Sequence, residues 1–194
     1  MPDLTLWLLR HAKTVTDPPD GGSDFDRVLA PRGRRDATAL GALFGRDGSG
    51  LGLVDVPLPQ RALVSPAART AATADLVLSD LVHPPKRVLD RALYGAEPEE
   101  VLDRLRKLPK TVTSAMVVGH NPTAHALAQG LISHKDKAGR DLATKRGFPT
   151  CALAVYRFNV ARWSEVGAQS ADLVALMIPP YRAPVPAAVS AASD

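Results

Sequence analysis

The chain has 194 residues, 45% of them hydrophobic, and a formal charge of +4. That length suits one well-buried core and is short for two, and the basic residues are dispersed among acidic ones, so nucleic acid is not the expected partner. The first apolar stretch has no basic run before it and is too short to span a bilayer, which excludes a membrane span there and points to a soluble cytoplasmic protein.

Leu4 to Thr14, LTLWLLRHAKT, is an apolar run broken by Arg10, His11 and Lys13. This is the pattern of a buried strand that carries polar groups out of the sheet at its end. Ligands in open α/β sheets bind beyond the carboxyl ends of the strands, so the Arg-His pair is placed to meet an anion. The Pro-, Gly- and Asp-rich stretch 14–31 predicts a surface loop. Arg32 to Phe44 follows with apolar residues at helical spacing and a stop near Gly45. Arg32, Arg34 and Arg35 oppose the helix dipole at its start and read as a solvated face, or as one that meets an acidic partner.

Gly45 to Gly52 is a glycine-rich loop, and Arg61 to Ser65 is a second short strand. The next helix is expected to take Ser65 as N-cap and Pro66 as its first residue, with Arg69 about one turn in. An arginine beside a helix N-terminus makes an anion clamp. Lys86 to Leu89 predicts a third strand. The helix from 98 to 108 has an acidic start (Glu97, Glu99, Glu100) and a basic end, which matches the dipole. Ser114 to Gly119 is a fourth buried strand and runs into His120-Asn121-Pro122 and another helix. Three strand ends thus deliver Arg10 with His11, Arg69, and His120 to one crevice, the makings of an anion site.

The charged stretch Ser133 to Gly147 predicts a mobile loop. Thr150 to Asn159 and Ala171 to Ile178 predict two strands joined around Trp163, a hairpin or added pair at the sheet edge. Cys151 lies in this apolar segment, reads as a small core residue, and as the lone cysteine fits a reducing compartment. The Pro- and Ala-rich stretch 179–194 predicts an extended or disordered tail, which leaves 1–178 as a single domain. No metal is expected: His120 and His125 are spaced onto different helix faces, His83 and His134 fall in loops, and no matching carboxylate or cysteine set accompanies them.

LLRHAKT, VSPAARTAATA and VVGHNP, in this order and spacing, resemble the three motifs of the histidine phosphatase (phosphoglycerate mutase-like) superfamily. The stretch Asp24 to Leu29, APRGRRDA after it, and LYGAEPEEVLDRL are similar to its SixA-type phosphohistidine phosphatase branch. The likeness runs from about residue 4 to residue 178. Ala12 stands where many members carry glycine, a substitution common in that branch. The resemblance implies an α/β fold, a three-layer α/β/α sandwich with a mostly parallel central sheet and an antiparallel edge. It implies His11 as nucleophile, with Arg10, Arg69 and His120 as catalytic and phosphate-binding residues, and no cofactor. The mutase-type acid motif is missing, which argues against phosphoglycerate mutase activity.

The residue types suit that chemistry. A neutral imidazole attacks phosphorus through one nitrogen while a hydrogen bond fixes the other, and nearby Arg10 and Arg69 are expected to keep His11 unprotonated. Water then hydrolyses the phosphohistidine intermediate. Asp26 and Glu97, both on loops near the crevice, are the acids that could protonate a leaving group, with solvation or capping as the expected role of each. The reading is a metal-independent phosphatase acting on a phosphohistidine-containing protein. The alternatives are a broad monoesterase for small phosphorylated substrates and a non-catalytic phosphate- or phosphoprotein-binding module. Two histidines among the arginines favour catalysis, since binding alone needs only the arginines.

Overall fold

The computed structural model describes residues 3–53 and 55–181. Six strands form one sheet: β1 (Leu4–Arg10), β2 (Arg61–Val64), β3 (Lys86–Leu89), β4 (Ser114–Gly119), β5 (Leu153–Phe158) and β6 (Ala171–Met177), in the order β3-β2-β4-β1-β5-β6. β3, β2, β4 and β1 are parallel, and β5 and β6 add an antiparallel edge. β1 alternates between two cores: Leu4, Leu6 and Leu8 join one cluster, Trp7 and Leu9 the other. Helices α1 (Pro31–Phe44) and α2 (Ala68–Leu78) cover the second cluster. Helices α3 (Pro98–Arg106), α4 (Thr123–Gly130) and α5 (Lys137–Arg146) cover the first. A strand covered on both faces has no polar side, which is why β1 reads as a continuous apolar run.

Register explains how distant residues converge. Leu9 pairs with Val118, and Val118 with Val64, so β1, β4 and β2 reach the same level together. The next row is Arg10 beside Gly119, with the Ser65 N–H donating to the Val118 carbonyl at 3.1 Å. His11, His120 and Ser65 leave the sheet side by side at the carboxyl ends of the parallel strands.

Two expectations need correction. The stretch 133–147 is not a loop, because it contains α5, whose N-cap Asp136 accepts from Gly139 N–H at 2.8 Å. The other oxygen of that carboxylate accepts from Leu173 N–H at 2.9 Å, which ties the helix to edge strand β6. Nor does Ser65 cap α2. The helix starts at Ala68 with Ala67 as N-cap, and the Ser65 hydroxyl is used elsewhere. Cys151 is buried as expected but precedes β5 with φ 62°, its N–H donating to the His11 carbonyl at 3.0 Å. The tail expectation lies outside the described residues from position 182 onward. Among the described residues no helix is long and apolar enough to cross a membrane.

α1 is fitted against the strand end without a gap. A Cβ on Gly33 would lie 2.0 Å from the Lys13 carbonyl oxygen, and backbone cannot yield as a side chain can. Gly33→Ala is therefore expected to destabilise the protein by about 1–3 kcal/mol, an overpacking penalty read from urea denaturation. A midpoint unchanged from the parent would show that α1 can slide.

Candidate active site

The site is the row of residues just past β1, β2 and β4. His11 is 9% exposed, and its Nδ1 lies 2.8 Å from the Ala12 carbonyl oxygen. A carbonyl only accepts, so Nδ1 carries the proton and Nε2 keeps its lone pair. The Ala12 N–H is held in turn by Thr73 Oγ1 at 3.0 Å, and that hydroxyl donates to the Arg69 carbonyl at 2.6 Å. α2 thus fixes both the loop of the first motif and the arginine of the second.

The His120 ring stands 5.2 Å from the His11 ring, centroid to centroid. Arg69 Nε is 3.3 Å from His120 Nδ1, and its Nη2 lies 2.8 Å from an Asp24 carboxylate oxygen. Arg10 donates through Nη1 to the Phe148 carbonyl at 3.0 Å, while its buried Nε has no partner among the described residues. The structure therefore gathers His11, Arg10, Arg69 and His120. The two acids singled out from sequence fare differently. Asp26 is exposed and accepts from the Ser23 N–H and hydroxyl, both at 2.9 Å, within its own turn. Glu97 precedes α3 and lines a side cavity with Gly95, His120 and Asn121, its N–H bonded to the Glu100 carboxylate at 2.8 Å. His83 and His134 are exposed, and among the described residues no group of three or more His, Cys, Asp or Glu is arranged to hold a metal ion.

Sequence reasoning missed Asp24, Arg27 and Tyr94. Asp24 accepts from Arg27 at 2.9 Å, from Arg69 at 2.8 Å and from the Tyr94 hydroxyl at 3.0 Å. Tyr94 also sets its ring edgewise to His120, 5.5 Å between centroids. The Asp24-to-Leu29 spacing was the available signal, since an Asp and an Arg three apart can pair across one short turn.

No protein-family model matches the chain. An uncharacterised protein of Mycobacterium tuberculosis (strain ATCC 25618 / H37Rv) is 36% identical over 173 residues, covering 88% of this chain and 99% of the relative. One of Mycobacterium leprae (strain TN) is 35% identical over 176 residues, with coverage of 88% and 99%. The solved structures are more informative. A candidate phosphohistidine phosphatase SixA from Nakamurella multipartitia superposes with a TM-score of 0.74 at 27% identity, covering 92% of this chain and 98% of that one. A SixA candidate from Agrobacterium tumefaciens gives 0.71 at 28% identity, with 92% and 99% covered. The chain belongs to the histidine phosphatase superfamily. A protein histidine phosphatase SixA complexed with tungstate, at 21% identity and a TM-score of 0.69, shares the fold.

The electrostatics of this superfamily member differ in emphasis from the sequence expectation. His11 is pushed down to about 4, chiefly by burial, with Arg69, Arg10 and Arg27 adding to the effect and the Ala12 carbonyl opposing it. The arginines are thus the lesser cause of a neutral His11. His120 is pushed down to about 3, again first by burial, then by His11 and Arg69. Asp24 is held at about 2 by the Arg27 hydrogen bond foremost, then by Tyr94 and Arg69. Both rings are neutral at pH 7, and Asp24 is ionised.

Both rings protonate less readily in the folded chain than at the usual 6.5, so the unfolded chain binds more protons below that pH. Their contribution to stability is full above 6.5 and falls away as pH drops toward about 4 and then about 3. An NMR titration should place the His11 midpoint near 4, and urea midpoints should fall between pH 7 and pH 5. A midpoint near 6.5 would mean that the ring is solvated.

Proposed function

We propose that the protein is a metal-independent phosphatase that transfers a phosphoryl group to His11 Nε2, and that its substrate is phosphohistidine carried on another protein. The observation that carries this reading is the 2.8 Å contact between His11 Nδ1 and the Ala12 carbonyl, which leaves Nε2 unprotonated and free to attack. Arg10 and Arg69 supply positive charge for the phosphoryl oxygens, with His120 beside them, so the residues themselves furnish the field that stabilises the transferring group. In the first step the substrate phosphorus–nitrogen bond breaks and a phosphorus–Nε2 bond forms. In the second, water adds to phosphorus, Nε2 leaves as a neutral ring, and the phosphate carries away both water protons as H2PO4−.

The substrate class rests on proton supply. Expelling an alkoxide from a phosphate ester calls for a placed general acid, whereas phosphohistidine protonated on its distal nitrogen expels a neutral imidazole. Asp24 is ionised and His120 neutral at pH 7, Asp26 is turned into its own loop, and Glu97 makes no hydrogen bond to His11, His120 or Arg69 among the described residues. Transfer from one imidazole nitrogen to another is also close to thermoneutral, which suits a site of this kind. A cytoplasmic setting accords with the lone buried Cys151. The test is kcat/KM for a phosphohistidine protein, a phosphohistidine peptide and a panel of sugar phosphates. The phosphohistidine substrates should be strongly preferred. A preference for a sugar phosphate, with the rate dependent on Glu97 or Asp26, would overturn the assignment.

A further inference from the structure

The hydroxyl of Ser65 is a buried polar group at the strand ends that the roles above leave unused. Ser65 has no exposed surface, and its backbone is held on both sides, N–H to the Val118 carbonyl at 3.1 Å and carbonyl to Thr70 Oγ1 at 2.7 Å. With the backbone so fixed, Oγ lies 2.8 Å from His120 Nε2. The other ring nitrogen, Nδ1, faces Arg69 Nε at 3.3 Å. An arginine Nε–H only donates, so Nδ1 is the acceptor, Nε2 carries the proton, and Ser65 Oγ accepts it. Two residues one helical turn apart in the chain therefore grip both nitrogens of the ring.

We propose that Ser65 is a positioning residue that acts through His120, fixing its ring plane and its Nε2–H tautomer so that Nδ1 points toward the phosphoryl locus beside Arg69. Nδ1 then keeps its lone pair on the Arg69 Nε–H, which holds the guanidinium in place with its remaining N–H groups free for the phosphoryl oxygens. Without that acceptor the half-buried Nε2–H is left unpaired, and the ring is free to take the other tautomer, whose Nδ1–H opposes the Arg69 Nε–H. This accounts for a serine where α2 does not need a cap. The proposal rests on the phosphatase reading for its kinetic consequence, but its tautomer claim stands apart from activity.

The test has two arms. In the wild type, nitrogen chemical shifts of the ring should show a protonated Nε2 and an unprotonated Nδ1 at His120. The opposite tautomer would overturn the proposal whether or not any substrate has been found. In the second arm, Ser65→Ala should lower kcat/KM by about 10- to 100-fold, the cost of leaving one half-buried donor unpaired, mainly through kcat. The His120 signals should shift to a mixture of tautomers, and Ser65→Thr, which keeps the hydroxyl, should restore both readouts. A folded Ser65→Ala protein with wild-type tautomer and rate would sink the idea. If Ser65→Ala fails to fold, the wild-type shifts and the Thr variant still decide it. Should no phosphatase activity appear with any substrate while the tautomer is as stated, the functional reading fails and the positioning claim survives.

Discussion

His11→Ala is expected to fold and to lose turnover by on the order of 10⁴-fold or more, the scale seen when a covalent nucleophile is removed. Folding should survive because the strand-end bonds of His11 are backbone bonds. Its N–H donates to the Gly119 carbonyl at 3.0 Å and its own carbonyl accepts from Cys151 N–H at 3.0 Å, and neither involves the ring. Rapid quenching at alkaline pH, which preserves a phosphorus–nitrogen bond, followed by mass spectrometry should locate the phosphate of the wild-type intermediate on His11. Phosphate on a different residue, or turnover surviving in His11→Ala, would end the covalent mechanism.

Arg69→Ala should be nearly as damaging, by a different route. The side chain is buried, and besides its bonds to Asp24 and its approach to His120 the guanidinium retains N–H groups for an incoming oxyanion. Each charge-assisted bond of this kind is worth about 1.5–3 kcal/mol, so loss of two lowers kcat/KM by roughly 10²- to 10⁴-fold. Arg69→Lys should recover little, since an ammonium cannot span Asp24, His120 and a phosphoryl oxygen at once. Tungstate or vanadate should inhibit the wild type competitively and the Ala variant poorly. The cost in stability should be smaller, because Asp24 is half exposed and keeps Arg27 as a partner. Normal rate and normal oxyanion affinity in a folded Arg69→Ala protein would dissolve the shared pocket.

What could be read from the sequence follows from which forces act locally. β4 has the bounds that its composition suggested and β1 ends where Arg10 interrupts the apolar run, because burial writes itself into a strand residue by residue, whereas β3, which also has its expected bounds, is an edge strand with mostly exposed side chains. Arg10, His11, Arg69 and His120 were visible for the same reason, as polar residues set at the ends of such runs. α5 was not. Its buried residues are only Gly139 and Ala143, small ones that leave no hydrophobic period among the charges, and it is held by Asp136 reaching to Leu173. Ser65 satisfied every local rule for a helix cap, yet a partner 55 positions away in the chain took its hydroxyl. Asp24 and Arg27 sit in a stretch with no periodicity at all, and their place in the site depends on Arg69 and Tyr94, which only the folded chain brings near.

The position of β1 also governs how the chain must be made. Its two neighbours in the sheet are β4 and β5, so this strand has no sheet partner until about a hundred further residues have followed it. At the usual 5–20 residues per second, that leaves LTLWLLR unpaired for roughly 5–20 s, while β2 and β3 can already join. During that interval an apolar strand that belongs in the middle of the sheet has its backbone groups open, which makes it the segment most exposed to pairing with another nascent chain.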